Sequence, residues 1–308
     1  MARSKRSVRK AKTRRGIQYS PEQLKFRQRL QSRRPLDNIE AAEFSRTHAI
    51  TVTLPSSWQH GPKTAKVFLV GTHHYDQGSA DEAASLIDSL QPDALVLELC
   101  EERRSILRAV PPRTAAPTPK EELGFRSWLA KGKSFLLEEL IRQTESKLRG
   151  IFDIVGGREF FAAAEAAKAV SGCRTILGDL PISETKRGLL ATLSRRDLVA
   201  CLRWLAGLDD GSIRTYLRQL RDDHSLTTAS LLSDALQSEN SGVHSVLLNR
   251  RNEALAEAIL NAAYLSHTKP SPSAAPHSPV IVAVVGRMHL PGLLKQLQLS
   301  TQDFAHAA

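Results

Sequence analysis

Residues 67–99 read VFLVGTHHYDQGSADEAASLIDSLQPDALVLEL: an apolar run, a polar turn, an amphipathic stretch, a Gln-Pro-Asp break and a second apolar run. Val67–Val70 and Ala94–Leu99 have the near-continuous hydrophobicity of strands buried on both faces. Between them, Ala83, Leu86, Ile87 and Leu90 recur at helical spacing, and Ser79 with Glu82 forms a capping box that predicts a helix over 79–90. A strand, a helix and a strand in this order form a crossover unit, which places the two strands parallel. Working outward, HAITVTLP (48–55) reads as a strand, RTILGD (174–179) as another, and VIVAVVG near residue 280 as the last. EERRSILRAV is helix-like up to Pro111, residues 121–169 are helical apart from Gly156-Gly157, and 183–263 are helical with breaks at GLDDGS and SENSG. The fold class is therefore α/β: a mainly parallel sheet with flanking helices and a helical insertion at about 183–263.

The boundaries follow from composition. The chain of 308 residues carries a net charge of +11, yet residues 1–34 hold thirteen of the 43 Lys/Arg against the single acid Glu22. That tail carries +12, and the remaining 30 basic and 31 acidic residues leave a near-neutral body. Residues 1–47 are predicted to be a basic, largely disordered tail, with a short helix at SPEQLKFRQRL; 48–300 form the domain and 301–308 a flexible C-terminus. The tail has the electrostatics to contact an anionic membrane or an import receptor. A neutral body with sixteen aromatics in the whole chain argues against nucleic acid as a partner. No apolar run approaches the ~20 residues that span a bilayer, and no secretory signal is visible. The three cysteines, Cys100, Cys173 and Cys201, have no CxxC spacing, which fits a reducing, intracellular, cytoplasmic setting. PPRTAAPTPK and SHTKPSPSAAPHSP read as flexible loops.

In a parallel sheet, ligands gather at the carboxyl ends of the strands. Each predicted strand ends there in polar groups: Gly71, Thr72, His73 and His74; Glu98, with Glu101 and Arg103 beyond; Gly178 and Asp179; Gly286 followed by His289. Two of these ends share the spacing Gly-x-x-His, and Glu98 interrupts ALVLEL, where an unpaired carboxylate would cost several kcal/mol. A His-Glu-His set suits a divalent ion holding a water, or a general acid/base pair without metal. Periodicity does not decide which of His73 and His74 faces inward. GGREF lacks the spacing and the Lys of a phosphate loop.

VFLVGTHH with SADEAASLIDSLQPDALVLELCEERRSIL, GGREFFAAAEAAK, LGDLPISETKRGL, LNRRNEAL and VVGRMHLPGL together resemble the TraB family, in order from Lys66 to Leu294. That family takes in the pheromone-shutdown proteins and the eukaryotic TraB-domain proteins, and is similar to the Tiki proteases and, more remotely, to the ChaN-like group. The resemblance implies a TraB/ChaN/Tiki-like α/β fold and a shared site at His74, Glu98 and His289. Gly71, Arg103, Asp179, Arg187, Arg251 and Gly286 are the implied supporting residues. His74, not His73, holds the fourth position of the motif. By analogy with Tiki, the implied activity is metal-dependent hydrolysis of a peptide or protein, with a divalent ion on His74, Glu98 and His289 and with Arg103 or Arg251 pairing Glu98 or stabilising an oxyanion. The alternative is a non-catalytic adaptor at the mitochondrial surface or another organelle membrane. Two features depart from the family: Leu180 stands where an arginine commonly follows Gly-Asp, and the chain ends in TQDFAHAA where some microbial members carry membrane helices, so no integral membrane segment is expected.

Overall fold

A computed structural model describes residues 46–53, 64–108, 132–152, 156–206, 210–268 and 278–306. Most of the basic tail, its expected short helix and the PPRTAAPTPK segment lie outside the described residues. Five strands, β1 (Thr47–Thr53), β2 (Thr64–Thr72), β3 (Ala94–Leu97), β4 (Arg174–Leu177) and β5 (Val280–Gly286), form one sheet in the order β1-β2-β5-β3-β4. β2, β5, β3 and β4 are parallel, and β1 closes one edge antiparallel to β2. Every residue of β3 and β5 is buried, as their unbroken apolar sequences require of strands covered on both faces. The last strand in sequence thus takes the middle of the sheet. Its register sets Thr72 beside Gly286 and Leu97 beside Val284, so the two Gly-x-x-His ends leave the sheet side by side.

Helix α1 (Gln77–Leu90) buries Ala83, Leu86, Ile87 and Leu90 as the spacing predicts, but it begins earlier than Ser79. Asp76 is its N-cap: the carboxylate accepts from the Gly78 and Ser79 N–H groups at 3.2 and 2.9 Å. A carboxylate at the positive end of the helix dipole displaces the weaker hydroxyl cap. Ser79 instead accepts the His73 N–H at 3.1 Å, and Glu82 turns to Arg46 at 2.9 Å. The segment after β3 is a 3-10 helix, Glu101–Leu107, and not an α-helix.

Helices α2 (Lys133–Phe152), α3 (Arg158–Ala169), α4 (Ile182–Thr192), α5 (Arg195–Ala206), α6 (Asp210–Asp222), α7 (Leu226–Glu239) and α8 (Ser241–His244) follow. A π turn, Ser245–Asn249, leads into α9 (Arg250–Thr268), and α10 (Leu290–His306) follows the last strand. One face of the sheet is covered by α9 and α10, through Leu255, Ile259, Ala263, Leu293 and Leu297 against Val67, Val96 and Ala283. The other face is covered by α1 and α3. A second core joins α2, α4 and α5 through Leu136, Leu189, Leu198 and Leu202 with Val246 of the π turn. The stretch 183–263 therefore divides. Its first part builds this separate helical core, whereas α9 carries an i, i+4, i+7, i+8 apolar stripe and lies on the sheet. α10 continues to His306, past the expected domain end at 300, since no Gly or Pro interrupts LLKQLQLSTQDF. Among the described residues no helix is long and apolar enough to cross a membrane. Cys100, Cys173 and Cys201 are all free thiols.

Candidate functional site

Glu98 lies one residue beyond β3 and still donates its backbone N–H to the Val284 carbonyl at 3.1 Å, so its side chain starts from a fixed point among the apolar strands. It is 4% exposed. Such burial demands partners, and three converge on it. Its Oε2 accepts the Gly286 N–H, its Oε1 accepts from Arg251 Nη2, and His289 Nε2 lies 3.2 Å from the same Oε1. Burial pushes this carboxyl upward. The charges of His289 and Arg251 outweigh it, aided by the His289 hydrogen bond and the charge of His74, and hold Glu98 well below the usual carboxylate range.

Arg251 is itself shared. Its Nε and Nη2 donate to the two oxygens of Asp179 at 2.9 and 2.8 Å, a fork that leaves the same Nη2 to reach Glu98, and Nη1 donates to the Leu247 carbonyl at 3.3 Å. Burial opposes the guanidinium charge, but Glu98 and Asp179 more than offset it and raise the Arg251 pKa. Asp179 comes from the end of β4, so this one side chain of α9 ties the carboxyl ends of β3 and β4 together.

The two motif histidines are held in the same manner from opposite sides. His74 Nδ1 is 2.6 Å from Glu159 Oε1, and His289 Nδ1 is 2.6 Å from Asn252 Oδ1. An acceptor at Nδ1 places the proton there and turns Nε2 toward the centre. A Cβ added to Gly286 would sit 3.1 Å from both His74 Nε2 and Glu98 Oε2, so the motif glycine is the gap through which these groups face each other. His289 is buried, whereas the His74 side chain is 41% exposed and is the member of the set that solvent reaches. Burial lowers the His74 pKa, and the hydrogen bond and charge of Glu159, with the charge of Glu98, overcome it; Arg103 opposes them, and the net direction is upward. His73 is held elsewhere. Its ring sits edge-on to Phe152, 5.4 Å between centroids, and its N–H is tied to Ser79.

The structure thus brings His74, Glu98, His289, Asp179, Arg251 and Gly286 together, with Arg103 acting on His74 through its charge. Gly71 serves packing: a Cβ there would overlap Leu290 Cδ1. Arg187 stays apart, exposed on α4 with no hydrogen bond or ion pair among the described residues. Glu159 and Asn252 were not among the sequence-derived candidates. Glu159 had a legible signal, because in REFFAAAEAAKA it shares the buried stripe with Phe160, Ala163, Ala164 and Ala167. Its Oε2 is buried without a hydrogen-bond partner among the described residues.

A divalent ion on His74, Glu98 and His289 does not fit this arrangement. Both Glu98 oxygens face hydrogen-bond donors, and the Arg251 guanidinium already supplies the positive charge beside one of them. Among the described residues no group of three or more His, Cys, Asp or Glu is disposed to hold a metal. The set suits proton transfer at His74 beside a fixed, buried network of charges.

The chain matches the TraB/PrgY/gumN family over residues 58–301. It is 26% identical over 241 residues to the TraB domain-containing proteins of Bos taurus and Mus musculus, and 26% over 237 residues to that of Homo sapiens. These matches cover 75% of this chain and 62% of the length of each relative, so the chain spans about three fifths of the curated relatives it matches.

Proposed function

Since the chain belongs to the TraB/PrgY/gumN family, we propose that its paired-histidine centre is a hydrolytic site acting on a peptide or protein, with His74 as the general base. The observation that carries this reading is the exposed His74 imidazole, anchored by the fully buried Glu159 and facing a buried Glu98. A water next to Nε2 attacks the amide carbonyl and passes its proton to His74. The imidazolium so formed is stabilised by Glu159 at Nδ1 and returns that proton to the departing amine. One water is consumed and one C–N bond is broken. The positive charge of Arg103, already felt by His74, favours the tetrahedral oxyanion. Glu98, Arg251 and His289 form the rigid floor that keeps these groups in place, and no step passes through a metal. Peptide as the substrate class follows from the resemblance to the Tiki proteases.

The test is cleavage of a peptide library in ¹⁸O-labelled water, with wild type, His74→Ala and His289→Ala compared by mass spectrometry and bound metal measured in the same samples. Incorporation of one ¹⁸O per cut, and a loss of roughly 10²–10⁴-fold in His74→Ala, are expected. Equal turnover in wild type and His74→Ala, or peptide binding with no cleavage by wild type, rejects the reading. Activity abolished by chelators and restored by one metal rejects its metal-free form.

A further inference from the structure

We propose that Asn252 is a positioning residue for His289, delivered to it by the π turn that precedes α9. The inference goes beyond the hydrolytic reading and concerns how the buried half of the centre is held.

The helical run from Ser241 to Thr268 is not uniform. At Ser245–Asn249 it widens: the Arg250 N–H donates to the Ser245 carbonyl, five residues back. Such single π turns inside a helix concentrate at functional sites. Two consecutive side chains emerge just beyond it, and each takes a different part of the centre. Arg251 takes Asp179 and Glu98, at the ends of β4 and β3. Asn252, 3% exposed, takes His289, beyond the end of β5. Adjacent residues of a helix point roughly 100° apart, so one helix start grips the centre from two directions. The Leu247 carbonyl, inside the turn, accepts from Arg251 Nη1 at 3.3 Å and braces the guanidinium against its own helix.

Two glycines on other elements make room for this arrangement. At Gly188 on α4, a Cβ would lie 2.9 and 3.0 Å from the methyls of Val246, within the turn. At Gly292, in the first turn of α10, a Cβ would overlap Asn252 Nδ2 and lie 3.1 Å from its Cγ. The amide is therefore seated in a slot that any larger residue at 292 would close. Its Oδ1 faces His289 Nδ1 at 2.6 Å, which directs Nε2 toward Glu98 Oε1 at 3.2 Å. His74 has a carboxylate in the equivalent place, and the neutral amide at His289 fixes orientation without adding a charge.

The experiment uses the full chain with ¹⁵N-labelled histidine and reads the His289 ring nitrogens by NMR in wild type, Asn252→Asp, Asn252→Ala and Gly292→Ala. In wild type and Asn252→Asp, which keeps an acceptor, Nδ1 is expected to be protonated. In Asn252→Ala, and in Gly292→Ala where the amide is present but displaced, His289 is expected to lose the Nδ1 proton while Nε2, which faces Glu98 Oε1, keeps its own. If turnover is found, kcat should fall on the order of 10–100-fold in both alanine variants with KM little changed. An unprotonated Nδ1 in wild type overturns the proposal. So do His289 signals that are identical in wild type and in the folded alanine variants. Should either alanine variant fail to fold, the wild-type and Asn252→Asp spectra decide. Absence of turnover in wild type removes the hydrolytic reading and leaves this comparison standing.

Discussion

Replacing Arg251 by Ala removes the cation that two buried carboxylates share. Glu98 and Asp179 side chains are each 5% exposed, so both carboxylates depend on protein partners for their charge. Removing one partner of a buried pair costs about 3–5 kcal/mol. The lower end applies here, because Glu98 keeps the Gly286 N–H and His289, and Asp179 keeps the Leu180 N–H at 2.9 Å. A loss of about 3 kcal/mol corresponds to a fall in Tm of about 6–12 °C. Urea unfolding at pH 7, read by circular dichroism, measures it. The pH dependence gives a second readout. Glu98 is depressed in the folded state, so it contributes stability that is present above the unfolded carboxylate pKa and is lost as pH falls through the folded value. In the variant one of the charges responsible is absent. Glu98 then protonates at higher pH than in wild type, and the gap between the two proteins narrows as the solution is acidified below about pH 4.5. The double variant Glu98→Gln/Arg251→Met should recover part of the loss at neutral pH, since it leaves fewer unpaired charges. A cost under about 1 kcal/mol for Arg251→Ala, or a gap that widens in acid, refutes the reasoning.

Glu159→Gln removes the partner that raises His74, so the His74 pKa followed by NMR should drop toward or below its ordinary value; an unchanged titration contradicts the pairing. In wild type, the raised folded pKa makes the His74–Glu159 interaction stabilising below the unfolded value near 6.5 and progressively lost as pH rises through the folded value, and this dependence should be absent from Glu159→Gln. Gly286→Ala places a methyl 3.1 Å from His74 Nε2 and Glu98 Oε2 and should destabilise by about 1–3 kcal/mol, as overpacking does; a thermally neutral variant shows that the gap is not tight. Asp76→Ala should cost about 1 kcal/mol or more, through loss of the α1 cap and of the Arg46 ion pair at 3.1 Å, and a urea titration that finds no loss rejects the cap.

β2, β3 and β5 were legible because burial on both faces writes itself as an unbroken apolar run, and α1 because its stripe repeats at helical spacing. Its first residue was not, because Ser79-x-x-Glu82 and Asp76 compete for the same N–H groups and the carboxylate wins through the helix dipole. Glu98 stood out as a charge in a hydrophobic run. Arg251 entered only through the family resemblance and Asn252 not at all, since LNRRNEAL places polar residues at the start of a helix, where they are ordinary. Glu159 carried a mixed signal: it lies on the apolar stripe of an alanine-rich helix, but in a first turn that commonly carries an acid.

The sequence by itself determined which segments are buried, the parallel sense of the crossover unit and the polar character of every strand end. It left open the order of strands and which partners each imidazole takes, and periodicity alone did not choose between His73 and His74. Those depend on β5 inserting between β2 and β3 and on Thr72 lying beside Gly286. A shift of one residue in that pairing would keep every hydrophobic run and turn the facing side chains to the opposite side of the sheet. Spacing along a chain records how each element is buried. Contacts between residues more than two hundred positions apart exist only once the elements have packed.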